Sequence, residues 1–270
     1  MTIDFDDKIL ILDKPAGITS HDACDEVKRI LNSNYEKSRV EKAGHAGTLD
    51  PDVTGVLIVA LNNSVKILRL LSGLEKGYIG KAHLHQEISL DKIEKTIQKK
   101  FIGKIKQTPP KRSRVKRVER EREIFDFEVI EKEGRNFSFK VMCQAGTYIR
   151  KLIDDLGKEL GIGAHMTQLR RHVQGPFLEQ EAIKIENLGD EKRLKKSLVS
   201  MGEVVKRLNV TSIRVKKEQE DDLKHGRFFD TQDFKIDTKE GEIFVALNSK
   251  NKIVALVKKE QDKIRPERVI

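Results

Sequence analysis

A glycine-rich loop that runs into an apolar segment constrains this chain most. Residues 42–60, KAGHAGTLDPDVTGVLIVA, start polar and lead into the apolar run Val56–Leu61. An unbroken apolar run of this length indicates a strand buried on both faces. Asp50 stands in the loop, and Pro51 restricts its backbone to extended conformations. The segment therefore predicts a carboxylate held on a stiff loop beside the core, which is how reactive groups are usually mounted.

Asp50 has two interpretations from the residues alone. An aspartate in GTLDP commonly caps a turn or a helix, whereas His45, the three glycines and the buried strand favour a chemical role. Because no metal-ligand cluster, Ser/His pair or phosphate loop lies nearby, that role would be nucleophilic or base chemistry. A buried carboxylate needs a cation to stay ionised, since a nearby arginine lowers its pKa by about 1–3 units. Arg170 and Arg171 are the candidate cations.

Composition limits the class of protein and its partners. The 270 residues suffice for one large domain, or a medium and a small one, and carry a net charge of +10. Such a charge favours a polyanionic partner, either nucleic acid or an anionic membrane surface. No apolar stretch approaches the roughly 20 residues that span a bilayer, and the N-terminus lacks a signal-peptide apolar region. We therefore expect a cytoplasmic protein in which Cys24 and Cys143 are reduced core thiols.

Hydrophobic periodicity predicts strands and helices in alternation, followed by a charged helical connector over residues 187–207. A short β-rich segment follows, with a helix at Glu218–His225 and a hairpin over residues 242–258. The first helix begins at a capping box formed by Thr19 and Asp22, and Gly161 is expected to close the helix over Thr147–Leu160. The remaining predicted strands and helices are Lys8–Leu12, Val56–Leu61, Gly77–His85, Glu123–Glu131 and Asn136–Cys143 as strands, and segments around Val65–Leu71, Leu90–Phe101 and Thr147–Leu160 as helices.

Two further features invite a functional interpretation. The run Lys111–Arg122 holds seven basic residues against two glutamates. It could be a nuclear-import signal or a solvated edge, but its position behind Pro109-Pro110 favours an RNA-facing strand. The candidate RNA contacts in it are Lys111, Arg112, Arg114, Lys116 and Arg117. His83 and His85 share a strand face, as metal ligands would, yet no third ligand lies near them in sequence, so we expect no metal there.

Five motifs, in order, resemble the TruB/dyskerin family of RNA pseudouridine synthases: KPAGITSHD, AGHAGTLDPDVTGVL, EKGYIGKAHLH, QAGTYIRKLIDDLG and GAHMTQLRR. The resemblance covers residues 8 to about 190, and the C-terminal segment resembles the PUA RNA-binding domain of that family. The resemblance implies an α+β pseudouridine synthase fold, with a large mixed, mainly antiparallel sheet and a small C-terminal β-rich PUA-like domain. We expect the catalytic domain at residues 1–207 and the PUA-like domain at residues 208–270.

The resemblance also implies an isomerase that flips a uridine out of RNA and converts it to pseudouridine. It gives Asp50 the catalytic role, as nucleophile or as base, and pairs it with Arg170. Tyr78 would stack on the flipped base, although a core-filling role is its alternative. No redox step and no exchange with water is needed, so no cofactor and no metal is implied.

The family motifs add RNA-binding candidates around this centre. His45 would lie near the vacated stack, Lys14 near the site, and Tyr148 and Arg150 along the pocket. Tyr148 could equally be a plain helix-face residue, and Arg171 is expected to be structural or to contact RNA. Gln168 stands where bacterial TruB enzymes carry a tyrosine.

The pattern HLH and the 30 residues between Tyr78 and Pro109 resemble the dyskerin branch. That branch works in box H/ACA ribonucleoproteins, where a guide RNA pairs with the target and small proteins hold the complex. The resemblance therefore implies RNA and small H/ACA proteins as partners and no membrane. The alternatives are a stand-alone enzyme for position 55 in the tRNA T-loop and a non-catalytic RNA-binding scaffold.

Overall fold

The computed structural model describes residues 3–35, 38–109, 116–234 and 239–270. They form a large sheet with helices against it and a second, smaller sheet at the C-terminal end. The strands of the large sheet are β1 (Lys8–Lys14), β2 (Ala43–His45), β3 (Thr54–Leu61), β4 (Lys76–Leu84), β5 (Gly103–Gln107), β6 (Arg120–Glu133), β7 (Asn136–Cys143), β8 (Ala164–Gln174), β9 (Phe177–Leu178), β10 (Ile183–Lys184) and β11 (Leu198–Ser200). The strands of the second sheet are β12 (Ser212–Arg214), β13 (Phe229–Asp230), β14 (Ile243–Leu247), β15 (Ile253–Glu260) and β16 (Lys263–Val269). The helices are α1 (Ser20–Asn34), α2 (Leu68–Ser72), α3 (Leu90–Lys100), α4 (Ile149–Glu159), α5 (Glu191–Ser197), α6 (Met201–Arg207) and α7 (Lys217–Lys224).

The large sheet is mixed and mainly antiparallel, as predicted. Its main path runs β10-β1-β3-β8-β4-β7-β6-β5, with β11 on β1, β2 on β3 and β9 on β8. The pairs β1–β10 and β3–β8 are parallel, and every other pair in this sheet is antiparallel. The order places β3, which follows the Asp50 loop, beside β8, which carries both candidate arginines.

The predicted central strand is buried on both faces. Leu57 and Val59 of β3 pack in one cluster with residues of α1, α3 and α4, whereas Val56 and Ile58 pack in another with residues of α2 and α6. Gly55, the second residue of this strand, has a φ of +104°, and a Cβ there would lie 2.1 Å from the backbone oxygen of Arg171. Only glycine therefore lets β3 approach β8 so closely.

Local signals at the helix ends are confirmed. Thr19 and Asp22 form the predicted capping box, since the Asp22 N–H donates to Thr19 Oγ1 at 3.1 Å and the Thr19 N–H to Asp22 Oδ2 at 3.0 Å. Gly161 closes α4 with a φ of +74°. Cys24 and Cys143 are buried free thiols, and burial raises their pKa values to about 12 and about 11.

Three predicted elements differ from the structure. The connector is not one helix, because β11 separates α5 from α6 and pairs with β1, where Val199 is buried opposite Ile9. The helix after β3 starts as a 3-10 turn, Asn62–Ile67, and only Leu68–Ser72 is α-helical. The predicted basic strand begins only at Arg120, and residues 116–119 have no regular structure.

The second sheet runs β12-β14-β15-β16-β13 and has its own core beneath α7. Its helix and hairpin match the prediction, whereas β16 has no sequence-based counterpart. Val245, Ile253 and Leu256 of this sheet share a cluster with Ile9 and Ile11 of β1. The two sheets therefore bury apolar surface against each other. No helix in the described ranges is long and apolar enough to cross a membrane.

Candidate active site

The backbone around Asp50 is fixed on both sides. The Leu49 N–H donates to Ser20 Oγ at 2.8 Å, and the Ser20 hydroxyl lies 3.0 Å from the Leu49 carbonyl oxygen. On the other side, the Pro51 carbonyl accepts from Lys14 Nζ at 3.0 Å. Asp50 thus occupies a loop whose neighbouring peptide groups are tied to the first strand and the first helix, as a preorganised carboxylate requires.

Lys14 does not reach solvent. Its ammonium is fully buried and also donates to the Pro15 and Ile18 carbonyls, at 2.6 and 2.7 Å. Burial lowers the pKa of Lys14, and the charge of Asp52 opposes that shift. The predicted contact between Lys14 and RNA is therefore not supported. Its ammonium donates to three backbone carbonyls and has no donor left for a phosphate, so Lys14 stabilises the loop instead.

Arg171 lies beneath the same loop and is also fully buried. Its Nε donates to the Val56 carbonyl at 2.6 Å and its Nη2 to the Gly47 carbonyl at 3.0 Å. The two carbonyls flank Asp50 in sequence, so one guanidinium ties together both limbs of the loop. No carboxylate in the described part of the chain pairs with it, and burial lowers its pKa. Of the two roles expected for Arg171, the structure supports the structural one.

Two more buried donors complete this layer, and sequence reasoning missed both. Gln174 Nε2 donates to the carbonyls of Ala46 and Leu71. Lys76 Nζ donates to the carbonyl of Ser72, the last residue of α2, and to that of Leu74. Burial, with Arg171 nearby, lowers the pKa of Lys76 to about 8. Neither residue has a signal in the sequence, because Lys76 begins β4 and Gln174 ends β8, and both strands carry several other polar side chains.

The cation that contacts Asp50 is Arg150. Its Nη2 pairs with Asp50 Oδ2 from the first turn of α4. The Asp50 side chain is 51% exposed and that of Arg150 46%. Water therefore screens the pair, which contributes about 0–1 kcal/mol to stability. Both groups remain reachable from solvent, as a site that receives a macromolecular substrate requires.

Gln107 fixes the start of the helix that carries Arg150. Its Oε1 accepts from the Tyr148 N–H at 3.0 Å, and its Nε2 donates to the Tyr148 carbonyl at 3.3 Å. Tyr148 is the N-cap residue of α4 and is partly buried. This position does not decide between the pocket role and the helix-face role of Tyr148, and the pocket role stays a prediction. Gln107 itself was not predicted, since it lies 41 residues from Tyr148 in sequence.

The predicted pair of Arg170 with Asp50 is wrong. Arg170 Nη1 donates to Asp13 Oδ1 and its Nε to Glu179 Oε2, both at 2.9 Å. These carboxylates raise the pKa of Arg170. The cause is strand alternation: Arg171 is the register partner of Tyr78, so its neighbour Arg170 projects from the opposite face of β8.

Tyr78 and His45 lie near Arg171. Tyr78 is 7% exposed and belongs to the core cluster under α1 and α4; burial raises its pKa, and the positive charge of Arg171 opposes the shift. His45, on β2, has a buried Nδ1 without a hydrogen-bond partner in the described ranges. Burial lowers its pKa, as does Arg171. The stacking role of Tyr78 and the RNA role of His45 stay predictions.

Of the predicted contacts in the basic run, two lie within the described residues. Lys116 and Arg117 are exposed, and Arg117 Nε donates to the Pro109 carbonyl at 3.4 Å. Lys111, Arg112 and Arg114 lie outside the described residues. An RNA role for this basic run stays a prediction.

The two strand histidines gain a neighbour that the sequence did not indicate. His165 of β8 lies beside both, with His85 Nε2 3.0 Å from His165 Nδ1 and the rings of His83 and His165 5.4 Å apart. Within the ranges that the structure covers, no group of three or more candidate ligands has a geometry that could hold a metal ion.

Family comparisons agree over most of the first domain. The family described as "TruB family pseudouridylate synthase (N terminal domain)" matches residues 35–149. The description "tRNA pseudouridylate synthase B C-terminal domain" applies to the match over residues 150–206. These matches include Asp50, Tyr78, Arg150 and Arg170.

Curated archaeal relatives carry the same family name. The "Probable tRNA pseudouridine synthase B" of Methanococcus maripaludis strain C7 is 45% identical over 182 residues, which are 67% of this chain and 52% of that protein. The protein of the same name from Korarchaeum cryptofilum is 38% identical over 231 residues, 82% of this chain and 68% of its own length. The matched segment thus spans about half the length of the first of these relatives.

Solved structures match nearly the whole chain. A chain in a Cbf5-Nop10-Gar1 complex superposes with a TM-score of 0.85 at 35% identity, over 98% of this chain and 85% of that one. A chain in an H/ACA RNP bound to a substrate RNA containing 2'-deoxyuridine gives a TM-score of 0.81 at 33% identity, with the same coverage.

Proposed function

The chain belongs to the TruB family of pseudouridylate synthases, and from this premise we propose that it isomerises uridine in RNA to pseudouridine with Asp50 as the catalytic carboxylate. One observation carries the assignment of Asp50. Its loop is held on both sides by buried side chains, while the carboxylate itself stays half exposed and paired with Arg150. A carboxylate that served only as a turn cap would not need this framework.

The reaction needs one carboxylate and no cofactor. The bond between uracil N1 and ribose C1′ breaks, the uracil rotates in the pocket, and C5 bonds to C1′. The C5 hydrogen leaves to solvent as a proton, and N1 gains one, so atoms and charge balance. Asp50 acts on the ribose or on the uracil, as nucleophile or as base, and Arg150 pairs with it in the free protein.

The free-energy cost of flipping the base must be offset by several groups together. Unstacking a nucleotide costs a few kcal/mol, and one aromatic stack returns about 1–3 kcal/mol. Tyr78 alone would therefore barely offset the flip, and His45 with phosphate contacts would share it. Because only 7% of Tyr78 is exposed, a uracil can stack on its ring only after the groups that cover the ring move aside.

We place the enzyme in a guide ribonucleoprotein with small protein partners. The superpositions with chains from H/ACA complexes, which extend over 98% of this chain, support this reading. A stand-alone enzyme acting on the tRNA T-loop is the second candidate. It is supported by the tRNA pseudouridine synthase B name of the relatives.

Tritium release from RNA labelled at C5 of uridine tests both proposals. One reaction contains bare tRNA, the other a guide–target RNA pair with archaeal Nop10 and Gar1. Asp50→Asn should abolish release and leave RNA affinity within a few-fold, whereas Asp52→Asn, two residues away and also exposed, should retain activity. Release from bare tRNA favours the stand-alone enzyme, and release only in the guided reaction favours the ribonucleoprotein. No release in either reaction would overturn catalysis and leave a scaffold.

A further inference from the structure

Strand β6 has an unpaired edge. Strand β5 pairs with it only from Arg120 to Ile124, whereas β7 pairs with its other side as far as Glu133. Along residues 125–133, which we call the β6 edge, no other strand in the described ranges pairs with the side that faces away from β7. Edges of this kind present free backbone N–H and C=O groups to a potential partner.

Two bulges turn apolar side chains outward on this edge. The register with β7 shifts between Ile124 and Asp126 and again between Val129 and Glu131. The residues skipped are Phe125 and Ile130, which are 45% and 54% exposed. Ile130 is the most exposed of the large apolar side chains in the part of the chain that the structure covers. Bulges re-aim side chains in this way next to functional surfaces.

Carboxylates surround the two apolar side chains. Asp126, Glu128, Glu131 and Glu133 are all exposed, and Lys132 is the one basic residue among positions 125–133. None of the four carboxylates forms an ion pair in the described structure, although ion pairs are frequent elsewhere on this surface. Four carboxylates against Lys132 and Lys140, the β7 register partner of Glu128, give this edge a negative balance on a chain of net charge +10.

We propose that the β6 edge is a docking surface for a basic polypeptide segment that covers Phe125 and Ile130 and pairs with the flanking carboxylates. Charge complementarity selects this occupant: phosphates of RNA would be repelled. A second copy in edge-to-edge contact would set carboxylates against carboxylates, and the bulges also hinder such self-pairing. The β6 edge is separate from the proposed catalysis. Strand β6 lies four strand positions from β3, about 19 Å at the usual spacing, and the unpaired stretch begins five residues after Arg120, the register partner of Gln107.

A labelled peptide tests this proposal directly. The probe is the nonapeptide KVKIKVKIK with a fluorescein label, and its binding to the full chain is followed by anisotropy. The double variants Phe125→Ser/Ile130→Ser and Glu128→Lys/Glu131→Lys should each bind it at least about fivefold more weakly. Hydrogen exchange of the wild-type chain with peptide should show new protection within residues 125–133.

Matched controls separate this surface from general charge attraction. Phe228→Ser removes an aromatic side chain of similar exposure, 51%, directly before β13, and Glu87→Lys/Glu94→Lys reverses two exposed carboxylates elsewhere. Both should bind the peptide like the wild type. All altered side chains are exposed, and thermal unfolding should confirm that every variant stays folded.

Three outcomes would overturn the proposal. The first is equal peptide affinity in all variants. The second is weaker binding of a labelled single-stranded RNA to the Phe125→Ser/Ile130→Ser variant than to the wild type, which would make the β6 edge an RNA-binding surface. The third is a dimer in sedimentation that the same variant dissociates, which would make the occupant a second copy. Tritium release by the wild type is measured separately, so a failure of the proposed catalysis remains distinguishable.

Discussion

Asp50 and Arg150, a hundred residues apart in sequence, form an ion pair in which each side chain stays about half exposed. A pair of this kind adds little to stability, yet it orients the one carboxylate to which the family motif points. The two residues are held in place by separate hydrogen bonds. Lys14 and Ser20 fix the backbone on either side of Asp50, and Gln107 fixes the start of the helix that carries Arg150. Removing either set of hydrogen bonds should therefore reduce catalysis more than it reduces stability.

Replacing Arg150 by glutamine should separate activity from stability. The amide keeps a donor but removes the charge, so we expect kcat to fall about 10–100-fold while the free energy of unfolding changes by at most about 1 kcal/mol. Tritium release and urea unfolding measure the two quantities. Arg29→Gln, which breaks an exposed pair with Glu26, is the control and should leave both unchanged. Normal turnover in Arg150→Gln would remove Arg150 from the site.

Tyr78→Leu should lose far more turnover than RNA binding. The substitution removes an aromatic face worth about 1–3 kcal/mol of stacking, and phosphate contacts remain. Tyr78→Phe keeps the ring and should retain most of the activity if stacking is what matters. Single-turnover rates and filter binding give the two readouts. If Tyr78→Leu turns over normally, the side chain is only part of the core.

Arg171→Met should destabilise the protein by about 2–5 kcal/mol, because the buried carbonyls of Gly47 and Val56 lose their donor. Removing the charge should also raise the pKa of Tyr78, which spectrophotometric titration of the phenol can follow. Arg170→Met, which breaks only partly exposed pairs, is the control and should cost less. Equal losses in the two variants would contradict the framework role of Arg171.

Lys76 should make stability rise with pH relative to a variant that cannot titrate. Its pKa is about 8 in the folded chain and 10.5 when unperturbed, so between these values the unfolded state binds more protons. Stability therefore increases with pH in that window, by at most about 1.4 kcal/mol per pH unit. Urea unfolding of the wild type and Lys76→Met at pH 7.5 and 9 measures the difference. The quantity compared is the free energy of unfolding of the wild type minus that of Lys76→Met. If this quantity falls as pH rises, Lys76 is not buried with a lowered pKa.

The fold was largely predictable because its strongest signals are local. The apolar run of β3, the capping box at Thr19 and the glycine that ends α4 each depend on a few adjacent residues. The connector was wrong for the same reason: three residues of β11 lie between charged helical turns, and only their pairing with β1 makes them a strand.

The choice between Arg170 and Arg171 could not be made from sequence. Adjacent residues of a strand point to opposite faces, so the answer depends on the register of β8 against β4. That register shifts between Gly77 and Tyr78, which sets Tyr78 opposite Arg171. Neither Ser20 nor Gln107 could be foreseen, because each acts on a backbone group 29 to 41 residues away.

The pairing of β1 with β10 and β11 has a consequence for synthesis of the chain. Strand β1 emerges from the ribosome early, but two of its partners come from residues 183–200. At about 5–20 residues per second, β1 must wait roughly 10–40 s for them. Over that interval its apolar residues 9–12 belong to an incomplete sheet, and this is when the nascent protein most needs protection from aggregation.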